Sequence, residues 1–292
     1  MKKPLKIFLG VLALLLVIVA GYVIYVFAAW YRVEDNQVLE VDWPDADCIT
    51  ASVEKEKSYR IVSYNIGFGA YSDDYSFFMD GGKESRARSP GAVRENVNGA
   101  MEAAMNLEPG FLLLQEVDID GTRSYHVDEL ALVKKVWEAQ YHGKPFATFA
   151  QNYDSPYLFW PLTAPHGANK AGLAVLSSNC IDSAVRRQLP IEEGFMKLVD
   201  LDRCYSVQRI PMTYLGGPEP DGKELVLYNL HLSAYTSDGT IAEDQLKMLF
   251  ADMLAEYKKG NYTIAGGDFN KDILGNSEEV FGISGPEYTW AQ

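Results

Sequence analysis

The sequence predicts a mixed α/β (α+β) domain carried behind one apolar N-terminal helix. Three observations predict it. Residues 7–30 form an uncharged run of 24, about 36 Å as a helix against roughly 30 Å of bilayer hydrocarbon. Short apolar runs of strand length alternate with stretches whose apolar residues recur at helical spacing. Several of the strand-like runs also end in a hard polar side chain.

Lys2, Lys3 and Lys6 precede the apolar run. A cleaved signal peptide would have an apolar core of roughly 7–15 residues followed by a small-x-small site, and Phe27-Ala28-Ala29 matches that site poorly. The run therefore reads as an uncleaved, single-pass plasma-membrane anchor. By the positive-inside rule, residues 1–6 form a cytoplasmic tip, residues 7–30 the transmembrane helix, and everything after Tyr31 lies outside. Residues 31–58 are acidic, contain Pro44 and lack sustained periodicity; they read as a tether with one edge strand around residues 37–41. Residues 59–292 form the folded domain, long enough for one sizeable core.

Setting aside the three lysines leaves 23 basic against 40 acidic residues, a net charge of −17. That balance disfavours nucleic acid as a partner, although a local basic groove would still permit it. Cys48, Cys180 and Cys204 are too few, and odd in number, for a disulfide scaffold. Whether Cys180 and Cys204 pair is open at this level.

The first strand is expected over residues 60–67, ending at Asn65 before a glycine turn. A long polar and aromatic loop follows over residues 71–88. Ser89-Pro90 is a helix start, with Val93, Val97, Ala100, Met101, Ala104 and Met105 on one face. Phe111-Leu112-Leu113-Leu114 reads as a strand buried on both sides that runs into Gln115 and Glu116. A second helix is expected from a cap near Ser124 through Leu130, Val133, Val136 and Trp137. Residues 141–170, with Tyr153, Tyr157, Phe159, Trp160 and His166, read as an aromatic, Pro- and Gly-rich loop packed by its own rings, the alternative being the lining of a substrate cleft. Strands are expected at residues 172–177, 184–188, 205–212 and 224–233, the last two separated by a turn over residues 216–222. A helix capped by Thr240 should turn Leu246, Leu249, Phe250, Met253, Leu254 and Tyr257 inward. The strand Tyr262-Thr263-Ile264-Ala265-Gly266-Gly267-Asp268-Phe269-Asn270 follows.

Four strands thus end in polar groups: Asn65, Glu116, Asn229 with His231, and Asp268 with Asn270. Each has a plainer reading alone. Gly-Gly-Asp is turn chemistry, a strand-end acid can be a rim salt bridge, and a lone histidine can be a satisfied core residue. An acid closing a buried strand nevertheless needs a cation or a partner, and on the strand over 224–233 the period of two places Leu225, Leu227, Asn229 and His231 on one face.

Together, Ser-Tyr-Asn-Ile at 63–66, Leu-Leu-Gln-Glu-Val at 113–117, Asn-Leu-His-Leu at 229–232 and Gly-Asp-Phe-Asn at 267–270 resemble the endonuclease/exonuclease/phosphatase superfamily. The resemblance covers residues 59–270. It implies the DNase I-like fold, a four-layer α/β/β/α sandwich, and a phosphoric ester hydrolase (phosphodiesterase or phosphatase) using Mg²⁺ or Mn²⁺. It implies Glu116 as the principal metal ligand with Asn65 supporting it. Asp268 would orient or deprotonate water, Asn270 would hold a phosphate oxygen or the nucleophile, and His231 would donate to the phosphoryl group; Asn229 is a further substrate-binding candidate. Small phosphate esters and phospholipid head groups are the substrates in view. An extracellular nuclease and a non-catalytic surface domain that keeps the fold are the alternatives. One departure stands out. The family's closing Ser-Asp-His has no counterpart among His126, His142, His166 and His231, and only 22 residues follow Asn270. The expectation is therefore a chain truncated at its C-terminus.

Overall fold

The computed structural model describes residues 3–44, 51–191, 201–214, 217–218, 222–234, 240–271, 279–280 and 282. Cys48, most of the turn over residues 216–222 and the chain after residue 282 lie outside the described residues. The N-terminal run forms helix α1 (Lys3–Ala29). Its side chains are almost all exposed, as suits a helix of mean hydropathy 3.0 that is long enough to cross a membrane.

Residues 31–58 are more than a tether. The expected edge strand divides into β1 (Gln37–Leu39) and β2 (Val41–Asp42), and β3 (Val53–Glu54) follows. β1 pairs with one sheet and β2 with the other. The exit from α1 is also clamped. Asp202 accepts from Arg32 Nε at 2.6 Å, from Val33 N at 2.8 Å and from Arg186 Nη2 at 2.9 Å. Composition concealed this, because short strands carry no period and an ion pair to a residue 170 positions away leaves no local signal.

The remaining elements are β4 (Ile61–Asn65), α2 (Pro90–Met105), β5 (Phe111–Gly121), α3 (Glu129–Tyr141), β6 (Phe146–Asp154), β7 (Asn169–Ser177), β8 (Ser183–Gln188), β9 (Cys204–Tyr214), β10 (Gly217–Pro218), β11 (Glu224–His231), α4 (Thr240–Lys258) and β12 (Tyr262–Asp268). One sheet has the order β2-β6-β7-β5-β4. The other has the order β1-β8-β9-β11-β12, with β3 and β10 also paired to β9. Leu112 and Leu114 of β5 face α2 and α3, through Val93, Val97, Met101, Val133 and Trp137. Phe111 and Leu113 point the other way, into a core shared with Ile210, Leu225 and Leu227 of the second sheet. Tyr205, Val226, Tyr228 and Leu230 cover that sheet's outer face beneath Leu249 of α4. The layers are therefore helix, sheet, sheet, helix, and β5 is apolar on both faces because it has a core on each side.

Several local expectations need correction. Ser89 caps α2 as read, accepting from Ala92 N at 3.0 Å. The cap of α3 is Asp128, not Ser124, because the Ser124 hydroxyl is drawn into Asp118 at 2.7 Å. Residues 146–154, read as loop, form β6. Phe250, Leu254 and Tyr257 of α4 are exposed: β12 ends its sheet among the described residues, so the apolar stripe is wider than the strands beneath it. Cys204 is a free buried thiol, whereas Cys180 is disulfide-bonded, so the two do not pair with each other.

Candidate functional site

Two pairs of parallel strands build the site. β4 runs beside β5 with Asn65 opposite Gln115, and β11 runs beside β12 with His231 opposite Asp268. Parallel neighbours end on the same side of a sheet, so the two pairs bring their carboxyl ends to one edge of the sandwich, where α/β folds place ligands. Gly266 and Gly267 are strand residues, not a turn. A Cβ at Gly266 would lie 2.9 Å from Leu113 Cδ1 of the facing sheet, and one at Gly267 would lie 2.1 Å from the main-chain oxygen of Leu230. The two glycines thus let β12 approach both its neighbour and the opposite sheet.

Glu116 sits in a β-bulge. The β5–β7 register shifts between Leu114 and Val117, and Glu116 takes the left-handed conformation at φ 54°. Leu112, Leu114 and Val117 all belong to the core beneath α2 and α3, so the extra residue is turned off that face toward the strand ends.

The carboxylates of Glu116 and Asp268 converge on one amide group. Asn65 Nδ2 donates to Glu116 Oε1 at 3.1 Å and to Asp268 Oδ2 at 2.8 Å. Asn65 Oδ1 accepts from Gly67 N at 2.9 Å. Asn65 lies at the site: its N–H bonds face the acids and its oxygen accepts from the Gly67 amide, so it bridges the two carboxylates. Asp268 Oδ1 accepts from Asn270 N at 2.9 Å, and Asn270 Nδ2 donates to Leu232 O at 2.8 Å. Among the described residues, one Asn270 N–H and its side-chain oxygen have no protein partner. His231 Nε2 lies 3.7 Å from Asp268 Oδ2, and its buried Nδ1 has no hydrogen-bond partner among the described residues.

Asn229 does not reach the site. It is fully buried, accepts from Gln115 Nε2 at 2.8 Å, and donates to Leu114 O at 3.1 Å and Ala174 O at 3.0 Å. The side chain expected to bind substrate therefore ties the two sheets together, two residue pairs below His231 and Asp268.

A cavity of about 940 Å³ opens over these groups, lined by Asn65, Glu116, His231, Asp268 and Asn270. Arg123, Tyr153, His166 and Arg203 also line it; the sequence offers Tyr153 and His166 only as part of an aromatic stretch able to line a cleft, and gives Arg123 and Arg203 no role. Arg123 is buried, held by Asp118 at 2.7 Å and stacked 4.1 Å above the Phe68 ring. The ring of His166 is fixed between Ser85 O at 3.0 Å and the Tyr153 hydroxyl at 3.2 Å. An arginine beside a strand-end acid was the available signal for Arg123. None marked Arg203, which precedes β9 without periodicity.

Burial shapes the protonation states. Burial pushes the Glu116 carboxyl above its usual range, against the nearby Arg123 charge and the Asn65 hydrogen bond. Burial, joined by Arg203, pushes His231 down to about 3 against the pull of Asp268, so its imidazole is neutral at pH 7. His166 is likewise lowered to about 4 by burial and Arg123.

Among the described residues no cluster of three His, Cys, Asp or Glu side chains converges as a metal site. The donor set nevertheless fits a hard cation. Two carboxylates meet at one point, and Glu116 lines the cavity with a second oxygen engaged by no hydrogen bond among the described residues. Mg²⁺ is commonly held by one or two carboxylates with the remaining positions left to water and phosphate.

No family model matches the chain, and no curated protein matches it. Among solved structures it is similar to ANGEL2, a 2',3'-cyclic phosphatase, at 17% identity over 74% of this chain and 54% of that one, with a TM-score of 0.48. It is similar to the human Nocturnin catalytic domain with bound sulfate at 16% identity, over 84% and 72% of the two chains, with a TM-score of 0.45. An endonuclease/exonuclease/phosphatase family protein from Leptotrichia buccalis shares 13% identity over 77% and 72%, with a TM-score of 0.47. The chain spans about half the length of the ANGEL2 structure. With its two facing sheets, outer helices and polar strand ends, the chain has the DNase I-like fold that its four motifs implied.

Proposed function

We propose that this chain is a divalent-metal-dependent phosphoric ester hydrolase, held by α1 at the outer face of a membrane. One observation carries the reading: Glu116 and Asp268 converge on Asn65 beside His231, at the floor of a cavity that also exposes Arg203. Glu116 would hold Mg²⁺ or Mn²⁺, which when bound supplies Lewis-acid stabilisation of a phosphoryl oxygen. The protein's own groups do the rest. Asp268, its two oxygens oriented by Asn65 and Asn270, accepts the proton of an attacking water. His231, neutral in its buried position, donates a ring N–H to a phosphoryl oxygen, and Asn270 offers its remaining N–H beside it. Hydrogen-bond donors fixed in advance where charge develops are the largest source of stabilisation in such a displacement.

The cavity is also lined by Asp73, Asp74 and Glu95, and the chain carries a formal net charge of −14. Both disfavour an extended polyanion and favour a small phosphate ester or a phospholipid head group over nucleic acid. The full chain in detergent is expected to hydrolyse bis(p-nitrophenyl) phosphate with Mg²⁺ or Mn²⁺, and Glu116→Gln to lower the rate by about 10²-fold or more. Hydrolysis that persists in chelator and in Glu116→Gln would overturn the metal-dependent reading. No hydrolysis, together with no calorimetric binding of either ion, would favour a surface domain that keeps the fold without the chemistry.

A further inference from the structure

Residues 155–165 (Ser-Pro-Tyr-Leu-Phe-Trp-Pro-Leu-Thr-Ala-Pro) contain no charged side chain, in a chain of which 23% is charged. They form the turn between β6 and β7, where polar residues are the rule. Phe159 is 51% exposed, Trp160 66% and Leu162 74%. The loop is held by α1. Tyr25 Oη accepts from Tyr157 N at 3.0 Å, and Tyr22 Oη accepts from Phe159 N at 3.2 Å and donates to Tyr157 O at 3.2 Å. The Phe159 ring meets the Tyr22 ring edge-on at 5.1 Å.

From these contacts we infer that the 157–162 loop is a second membrane-embedded element, whose partner is the lipid bilayer that α1 crosses. The proposal rests on the reading of α1 as a transmembrane span. Tyr25 and Tyr22 lie four and seven residues before the helix end at Ala29, about 6 and 10 Å below it along the axis. A loop bonded to those two hydroxyls is therefore placed below the end of the apolar span, at lipid depth.

Most of the backbone polar groups of the loop are prepared for that environment. Irregular backbone meeting lipid must have its polar groups satisfied without water. Tyr157 N and Phe159 N are taken by the helix tyrosines. Leu158 and Gly167 exchange N–H···O bonds at 3.1 and 3.0 Å, and Trp160 O accepts from His166 N at 3.1 Å. Pro161 has no N–H to satisfy. Trp, Phe and Leu on such a platform match the side chains that enter the headgroup and acyl boundary.

The loop also leads to the cavity. His166, whose N–H holds Trp160 O, lines it, and so do Leu201 and Arg203, which flank the Asp202 clamp on Arg32 and Val33. Helix, clamp and loop hold the candidate active site against the bilayer surface without a flexible spacer.

Nitroxide labelling of the full chain in phosphatidylcholine vesicles tests the inference. Trp160→Cys and Leu162→Cys report on the loop, Leu15→Cys on the middle of α1, and Leu254→Cys on an exposed position of α4; Cys204 is buried. Power saturation with O₂ and a water-soluble nickel chelate reads the depth of each label. The expected result is an O₂-to-nickel accessibility ratio at 160 and 162 below that of position 15, as befits a shallower depth, but several-fold above that of 254. Lipid-like values at 15 with aqueous values at both 160 and 162 would overturn the loop proposal and leave the anchor standing. Aqueous values at 15 would overturn the anchor and the proposal with it.

Discussion

Replacing Asn229 with leucine tests whether this residue binds substrate or joins the sheets. The substitution keeps most of the side-chain volume and removes three buried hydrogen bonds, those with Gln115, Leu114 O and Ala174 O. A typical buried hydrogen bond contributes about 1 kcal/mol net, so the loss should be about 3 kcal/mol. It should not be much larger, because Gln115 Nε2 keeps Leu113 O at 3.2 Å and Ser63 Oγ at 3.3 Å. For a domain of this size that corresponds to a fall in Tm of roughly 6–12 °C, measured on the full chain in a single detergent. KM for a soluble phosphate ester should change less than about twofold, since Asn229 is sealed between the sheets. Adding Gln115→Met should cost less than the sum of the single changes, because the two residues are each other's partners. A Tm shift below about 2 °C, accompanied by a KM increase of about tenfold, would refute this account and return Asn229 to the substrate side.

Three further perturbations address the same architecture. Gly267→Ala should push β12 from β11, since its Cβ meets main-chain oxygen at 2.1 Å; displacement of Asp268 by about 1 Å should cost on the order of 10² in kcat, with hydrolysis as the readout. Asp118→Ala should destabilise by about 3–5 kcal/mol in urea unfolding, because it leaves the Arg123 guanidinium buried without its acid. Glu256 sets an acid limit on stability. Burial opposes its ionisation, but hydrogen bonds from Lys259, Arg209 and Asn261 outweigh burial and hold its carboxyl at about 2, against 4.5 ordinarily. Its folded-state pKa is lowered, so its contribution is complete above about pH 4.5 and lost as pH falls toward 2. The shift sets an upper bound of about 3 kcal/mol, and solvent screening around the exposed Lys259 reduces it to about 1–2 kcal/mol. Glu256→Gln should flatten the stability profile across that window, and an unchanged profile would refute the assignment.

The strand ends were legible because each breaks an apolar run with a group that a core cannot hold unpartnered: Asn65, Glu116, His231 and Asp268. Their assembly was not, because it depends on which strands lie parallel. No local pattern shows that Asn65 lies opposite Gln115 or His231 opposite Asp268. The period of two correctly put Leu225, Leu227, Asn229 and His231 on one face. It cannot show that this face turns from dry to open between Asn229 and His231, which is why the sequence alone points Asn229 toward substrate. β6 was missed for a related reason: its aromatic and small residues read as loop composition until β2 and β7 flank it. The six apolar positions of α4 had the right period, but how many are covered depends on how far the sheet below extends.

Backbone conformation supplies the part of the site that no residue type announces. Three non-glycine residues lining the cavity take positive φ: Phe68 at 42°, Glu116 at 54° and Asn270 at 50°. Each costs on the order of 1 kcal/mol or more relative to an extended or helical residue, and persists only where its surroundings over-determine it. For Glu116 the surroundings can be named. Leu114 and Val117 are both fully buried in the same core, which a regular strand cannot achieve with two residues between them. Burying both extrudes Glu116, and packing on one side of β5 thereby places an acid at its end. For Asn270 the fixing contacts are Asp268 Oδ1 and Leu232 O, one from its own strand and one from β11's continuation. In both cases hydrophobic burial and ordinary hydrogen bonds hold the polar group in a conformation it would not choose alone. A site formed in this way is rigid before any ligand arrives, as stabilisation by preorganised donors and acceptors requires.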